Sequence, residues 1–82
     1  MVNNRQPIDK VSLLAKANQL IQAHQDYQEG MQASDVEQKA DVLVFKGDYF
    51  LDENGLPTPR TTVVFNIFKQ LATQLSKEYH LD

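Results

Sequence analysis

Cysteine is absent from these 82 residues. Without a thiol the chain has no disulfide scaffold, no thiol nucleophile and no cysteine-based zinc site, which suits a reducing compartment. Glycine is scarce. Only Gly30, Gly47 and Gly55 occur, too dispersed to build a phosphate-cradling loop from sequence neighbours. The phosphate-binding motifs G-x-x-x-x-G-K-[ST] and G-x-G-x-x-G are missing, and so are G-x-S-x-G and H-E-x-x-H. The longest apolar run is VLVF, residues 42–45, against the ~18 residues of a membrane span. MVNNRQPID, at the start, lacks the apolar centre of a secretory signal. Clustered positive charge is lacking as well. Eight Lys and Arg stand against eleven Asp and Glu, and no two adjacent positions are basic, so phosphate-backbone binding has little to draw on. These absences lead us to expect an acidic cytoplasmic protein with no cofactor, no nucleic-acid or membrane partner and no enzymatic role.

What is present is enough for one small core. A hydrophobic content of 41% with 23% charged residues is ordinary for a globular domain, and a chain this short has room for one domain, 1–82. Residues 1–7 read as a flexible tail. A helix start follows. Asp9 is placed to accept from the free amides of the first turn, Ile8 and Leu13 form a hydrophobic staple across it, and Pro7 keeps Gln6 out of helical geometry. Leu13, Leu14, Ala17, Leu20, Ile21, His24 and Tyr27 then recur at spacings of three and four, which places a helix over about 10–29 with Gly30 as its stop.

Residues 31–51 read as two or three antiparallel strands. Val42 to Phe45 is β-branched and aromatic and too short for a helix. Its partner arm carries Met31, Ala33 and Val36, and the turn between the arms, near Lys39, Ala40 and Asp41, has no glycine. DYFL, 48–51, is the candidate for the third strand, which the sequence leaves open, and the Asn54-Gly55 turn signal follows it. Thr58 as cap and Pro59 at the first helical position open a second helix over about 59–80. Its apolar arc, from Val64 and Phe65 through Ile67, Phe68, Leu71, Ala72 and Leu75 to Tyr79, spans roughly 160°, more than the ~100° one supporting surface requires. That width predicts packing on two sides, against the sheet and against the first helix. The expected fold class is α+β, two-layer, with both helices on one face of a small hairpin or meander.

The stretch GDYFLDENGLPTPR, 47–60, has the composition of a calcium loop but not its spacing. With Gly55 at the sixth position of an EF-hand loop, the first falls on Phe50 and the twelfth on Thr61, neither a carboxylate. Asp52 and Glu53 lie side by side in a polar turn, a poor setting for the raised pKa of a general acid. His24 is the sharper candidate. On the apolar stripe an imidazole is either satisfied by a nearby carbonyl or side chain, or is a ligand or pH-sensitive group.

In VLVF, Leu43 and Phe45 face one way and Val42 and Val44 the other. With both helices on one face, the opposite face carries Val42 and Val44, together with Tyr49 or Phe50, and an apolar open face is a contact surface for a partner or a second copy. The same two valines are also what strand propensity alone would choose.

GDYFLDENGLPT, preceded by VLVF and followed by VFNIFKQLA, resembles the YciN family of small enterobacterial proteins. QPID near the start, LLAKAN in the first helix and KEYHL near the end belong to the same likeness. That family is one of unknown function, so the resemblance implies a cytoplasmic bacterial protein of this length and supplies no catalytic or binding residue. The family pattern has Asn-Gly where this chain has Ala40-Asp41. Two readings of function follow. One is a non-catalytic protein-interaction module that binds a protein partner or a second copy of itself, with Val42, Val44, Tyr49 and Phe50 as contact residues. The other is a small-ligand or metal-binding protein with its site near His24, Asp48 and Asp52.

Overall fold

A computed structural model describes residues 5–81. The element order is β1 (Gln6–Ile8), α1 (Lys10–Ala23), β2 (Ala33–Lys39), β3 (Val42–Gly47), α2 (Pro59–Ser76) and β4 (Tyr79–Leu81). The class is α+β. β2 and β3 form an antiparallel hairpin, and β1 pairs in parallel with β4 as a separate two-stranded sheet.

Each helix begins at its local cap. Asp9 accepts from Ser12 N at 3.0 Å, which also holds the Asp9 carboxyl below its usual range. Thr58 and Thr61 form a reciprocal capping box ahead of Pro59. One core joins the helices to the hairpin. Leu13, Ala17 and Ile21 of α1, Val36 of β2, Leu43 and Phe45 of β3, and Val64, Ile67, Phe68, Leu71 and Leu75 of α2 are all buried in it. Each fully buried aliphatic side chain contributes about 1.5–3 kcal/mol relative to exposure. α2 packs along β3 and α1 against β2, while contact between the helices is slight. The second support expected for α2, α1, is thus mostly missing, and part of its wide apolar arc faces elsewhere.

Four local expectations are corrected. Gln6 and Pro7 are paired in β1 rather than lying in a tail, and Arg5 beside them reaches the hairpin turn, its Nη1 donating to the Asp41 carbonyl at 2.9 Å; residues 1–4 lie outside the described range. α1 stops at Ala23, because His24 turns extended (φ −71°, ψ 138°) and its Nδ1 accepts from Asp26 N at 3.0 Å, a local bond that competes with helix continuation. α2 ends at Ser76, and Tyr79 and His80, expected in its last turn, belong to β4. Residues 48–51 are not a strand. Asp48 Oδ1 accepts from Phe50 N at 2.8 Å and folds the chain back on itself there.

The hairpin register pairs Lys39 with Val42, leaving Ala40 and Asp41 as the turn. Ala40 sits at φ 53°, a left-handed conformation that costs a non-glycine residue roughly 1–2 kcal/mol. Ala40→Gly is therefore expected to stabilise the fold by about 1 kcal/mol, glycine's larger unfolded-state entropy offsetting part of the relief. A rise in urea midpoint at constant m-value would show it.

The hairpin face opposite the buried Val36, Leu43 and Phe45 carries Asp35, Glu37, Lys39 and Lys46 around Val42 and Val44. It is mostly polar, not the apolar sheet face expected. Lys46 Nζ lies 2.9 Å from Glu37 Oε2 and Lys10 Nζ 2.9 Å from Asp35 Oδ1. Bonds from Lys46 and Lys10 respectively hold the Glu37 and Asp35 carboxyls below their ordinary values, and Glu37 raises Lys46 in return. The depressed carboxylates give stability that is complete above their unfolded-state values and is lost as pH falls through and below the carboxylate range; the raised lysine gives stability lost only as pH climbs past 10.5. A urea midpoint flat through neutral pH, falling below about 4.5, is expected, and Glu37→Gln should flatten that acid limb.

Candidate functional site

The sequence candidates fall into three separate places. His24 closes α1, and because its Nδ1 accepts from Asp26 N, its Nε2–H donates to Gln70 Oε1 at 2.8 Å. It ties the end of α1 to α2. Asp48 Oδ1 is engaged by Phe50 N, and Asp52 Oδ1 accepts from both Asn54 N and Leu56 N at 2.9 Å. Each carboxylate is occupied by its own turn, as Asx chemistry favours. The structure does not gather His24, Asp48 and Asp52, and among the described residues no group of three or more His, Asp or Glu is placed to hold a metal ion.

The aromatic pair also departs from expectation. Neither Tyr49 nor Phe50 lies on the sheet face; both are half-buried in the loop beyond β3. Thr61 Oγ1 donates to the Tyr49 carbonyl and Thr58 Oγ1 to the Phe50 carbonyl at 2.7 Å, so the capping residues of α2 also fix this loop. Phe50 is held at φ 55°, and the Arg60 guanidinium covers its ring at 4.0 Å. Phe50 is thus committed internally. Tyr49 turns the other way and packs on α2, its ring centroid 4.8 Å from Phe65 and 6.0 Å from Phe68.

Phe65 is the residue that sequence reasoning misplaced. It belongs to the apolar arc of α2, yet it remains 45% exposed. With Tyr49, Phe68, Lys69 and Ala72 it forms one wall of a groove of about 280 Å³ whose other wall is β3. Val42, Leu43, Val44 and Phe45 all line this groove. Successive strand residues point to opposite faces, so four in a row can share a groove only if it runs along the strand's edge. A larger depression, about 590 Å³, lies along Lys69, Thr73 and Lys77, but it is lined by α2 and the two residues after it, so it encloses nothing. The usable signal in the sequence was the excess width of the α2 arc.

Each edge of the hairpin is closed at one residue by a side chain. On β2, Asn18 of α1 satisfies both outward groups of Ala33, accepting from its N–H at 2.7 Å and donating to its carbonyl at 3.1 Å. Further along it is the Gln38 side chain, not its backbone, that meets β4, Oε1 accepting from Leu81 N at 2.9 Å, and among the described residues nothing reaches the outward N–H and carbonyl of Val36. On β3 the ladder alternates, so Val42, Val44 and Lys46 turn their amides toward β2 while Leu43 and Phe45 turn theirs away. Ser76 Oγ accepts from Leu43 N at 2.9 Å. Among the described residues no donor or acceptor reaches the outward N–H and carbonyl of Phe45.

Among the described residues no helix is long and apolar enough to cross a membrane. The model of a family described as a protein of unknown function (DUF2498) matches residues 4–82. The chain is 54% identical over 81 residues to protein YciN of Escherichia coli (strain K12), an alignment covering 99% of this chain and 98% of that protein. Protein YciN from the O6:H1 and O157:H7 strains matches to the same extent.

Proposed function

The chain belongs to the YciN family, and for this member we propose a role as a small non-catalytic module that binds another protein through the groove between β3 and α2. The observation that carries this reading is the exposed Phe65 beside Val42, which is 50% exposed, along a strand edge that is capped at Leu43 and open at Phe45. A chain of this size leaves large apolar groups in water at a cost, and apolar side chains gathered along one groove mark a contact surface more often than scattered ones do. Of the polar side chains that sequence reasoning offered for chemistry, His24 bridges α1 to α2 and Asp48 and Asp52 bond their own turns, so among the described residues these three do not converge on one site. Of the four contact residues expected, Val42, Val44 and Tyr49 line the groove and Phe50 does not. Phe65 takes its place.

Affinity capture from enterobacterial lysate, run in parallel with the wild-type chain and Phe65→Asp and read by mass spectrometry, tests the reading. Proteins recovered by the wild type and lost with the variant at equal loading support it. Identical sets from the two baits contradict it.

A further inference from the structure

We propose that the groove takes an extended, acidic peptide segment of a partner protein, added as a third strand against the outward edge of β3. The inference rests on the docking reading above and says what occupies the groove.

An exposed strand edge is a template for another strand, and folded proteins ordinarily blunt it. On this hairpin each edge is closed at one residue and open at another: among the described residues nothing reaches the outward N–H and carbonyl of Val36 on β2 or of Phe45 on β3, and it is the β3 edge that borders the apolar groove. β2 is closed at Ala33 by the Asn18 clamp, and β3 at Leu43 by Ser76. The outward N–H and carbonyl of Phe45 are left for an incoming backbone. Strand addition supplies affinity through main-chain bonds and selectivity through side chains seated in neighbouring pockets. Here the pocket is apolar, built from Val44, Tyr49 and Phe65, and it accepts alternate side chains of the added strand.

The charge on the rim selects the partner. Lys69 is the one charged residue lining the groove, it is exposed, and no ion pair forms to it among the described residues. The neighbouring hairpin lysine, Lys46, is already paired with Glu37. A carboxylate on the incoming strand would complement Lys69. A second copy of this chain would not, because an isologous contact sets the same patch against itself and brings two lysine rims together.

The test selects random dodecapeptides displayed on phage against the immobilised full chain and measures the enriched sequences as synthetic peptides by fluorescence anisotropy. The proposal expects alternating apolar residues with at least one Asp or Glu. Phe65→Asp should weaken binding roughly tenfold or more. Lys69→Glu, at an exposed position outside the core, should weaken it about threefold to fivefold. N-methylation of the peptide backbone should abolish binding at alternate positions only, since every second amide of an added strand points at β3. Binding that needs Phe65 but tolerates N-methylation at every position overturns strand addition and leaves the docking reading standing. A dimer in sedimentation equilibrium that Phe65→Asp dissociates overturns the acidic partner in favour of a second copy. Peptides that bind Phe65→Asp as well as wild type, or no enrichment at all, overturn the proposal.

Discussion

Gly47→Ala is expected to remove about 3 kcal/mol of stability, the upper end of the usual cost of overpacking. A Cβ at this position would collide with the Gln32 carbonyl oxygen and lie 3.0 Å from Phe68 Cζ. The first obstacle is backbone, which cannot rotate aside as a flexible side chain would. A domain of this length has a total stability of roughly 4–12 kcal/mol, so the loss is a large fraction of it and should lower the melting temperature by more than ~10 °C. Thermal unfolding followed by circular dichroism checks the value. Gly55→Ala separates contact from conformation. Gly55 has φ 78° with nothing within 4 Å of an added Cβ, so only the left-handed penalty of about 1 kcal/mol applies there. Equal losses at the two sites would mean that the close approach of β3 to residue 32 is not what constrains Gly47.

Leu43→Ala is expected to cost about 3 kcal/mol, while Val42→Ala, one residue away, should stay within about 0.5 kcal/mol. Leu43 is fully buried between the hairpin and α2; Val42 is half exposed at the groove. The contrast tests the register of the hairpin, because a one-residue slip would exchange the two side chains between faces. Chemical denaturation with an unchanged m-value is the measurement. Comparable losses for both variants would contradict the register, and with it the placement of the Phe45 amide.

What was legible in the sequence was local. The caps at Asp9 and at Thr58-Pro59 depend on side chains bonding amides three residues away, so a short window contains the whole interaction. The β3 segment is legible in four residues of VLVF because its alternation is the signal. β1 and β4 are not, since three residues have no measurable period and the partners come from opposite ends of the chain. The end of α1 was hidden by His24. Its spacing fits the apolar stripe, but its ring bonds Asp26 N and stops the helix. Asp48 and Asp52 looked like a ligand pair for the same reason that they are not one: acidic residues with Asn and Gly nearby are also what tight turns are made of. Phe65 was legible as apolar and illegible as exposed. Width of arc tells how much of a helix is apolar, and only the packing of α2 along β3, with α1 set apart, shows which part lacks a neighbour.

The claim on which the functional reading stands is that the outer edge of β3 is open, and amide hydrogen exchange measured residue by residue by NMR tests it most directly. In dilute protein the Phe45 amide is expected to exchange orders of magnitude faster than the amide of Val44, which is bonded into the ladder with β2, although the Phe45 side chain is buried. Phe45 protected to the same degree as Val44 would mean that the edge is already occupied, and would contradict the account.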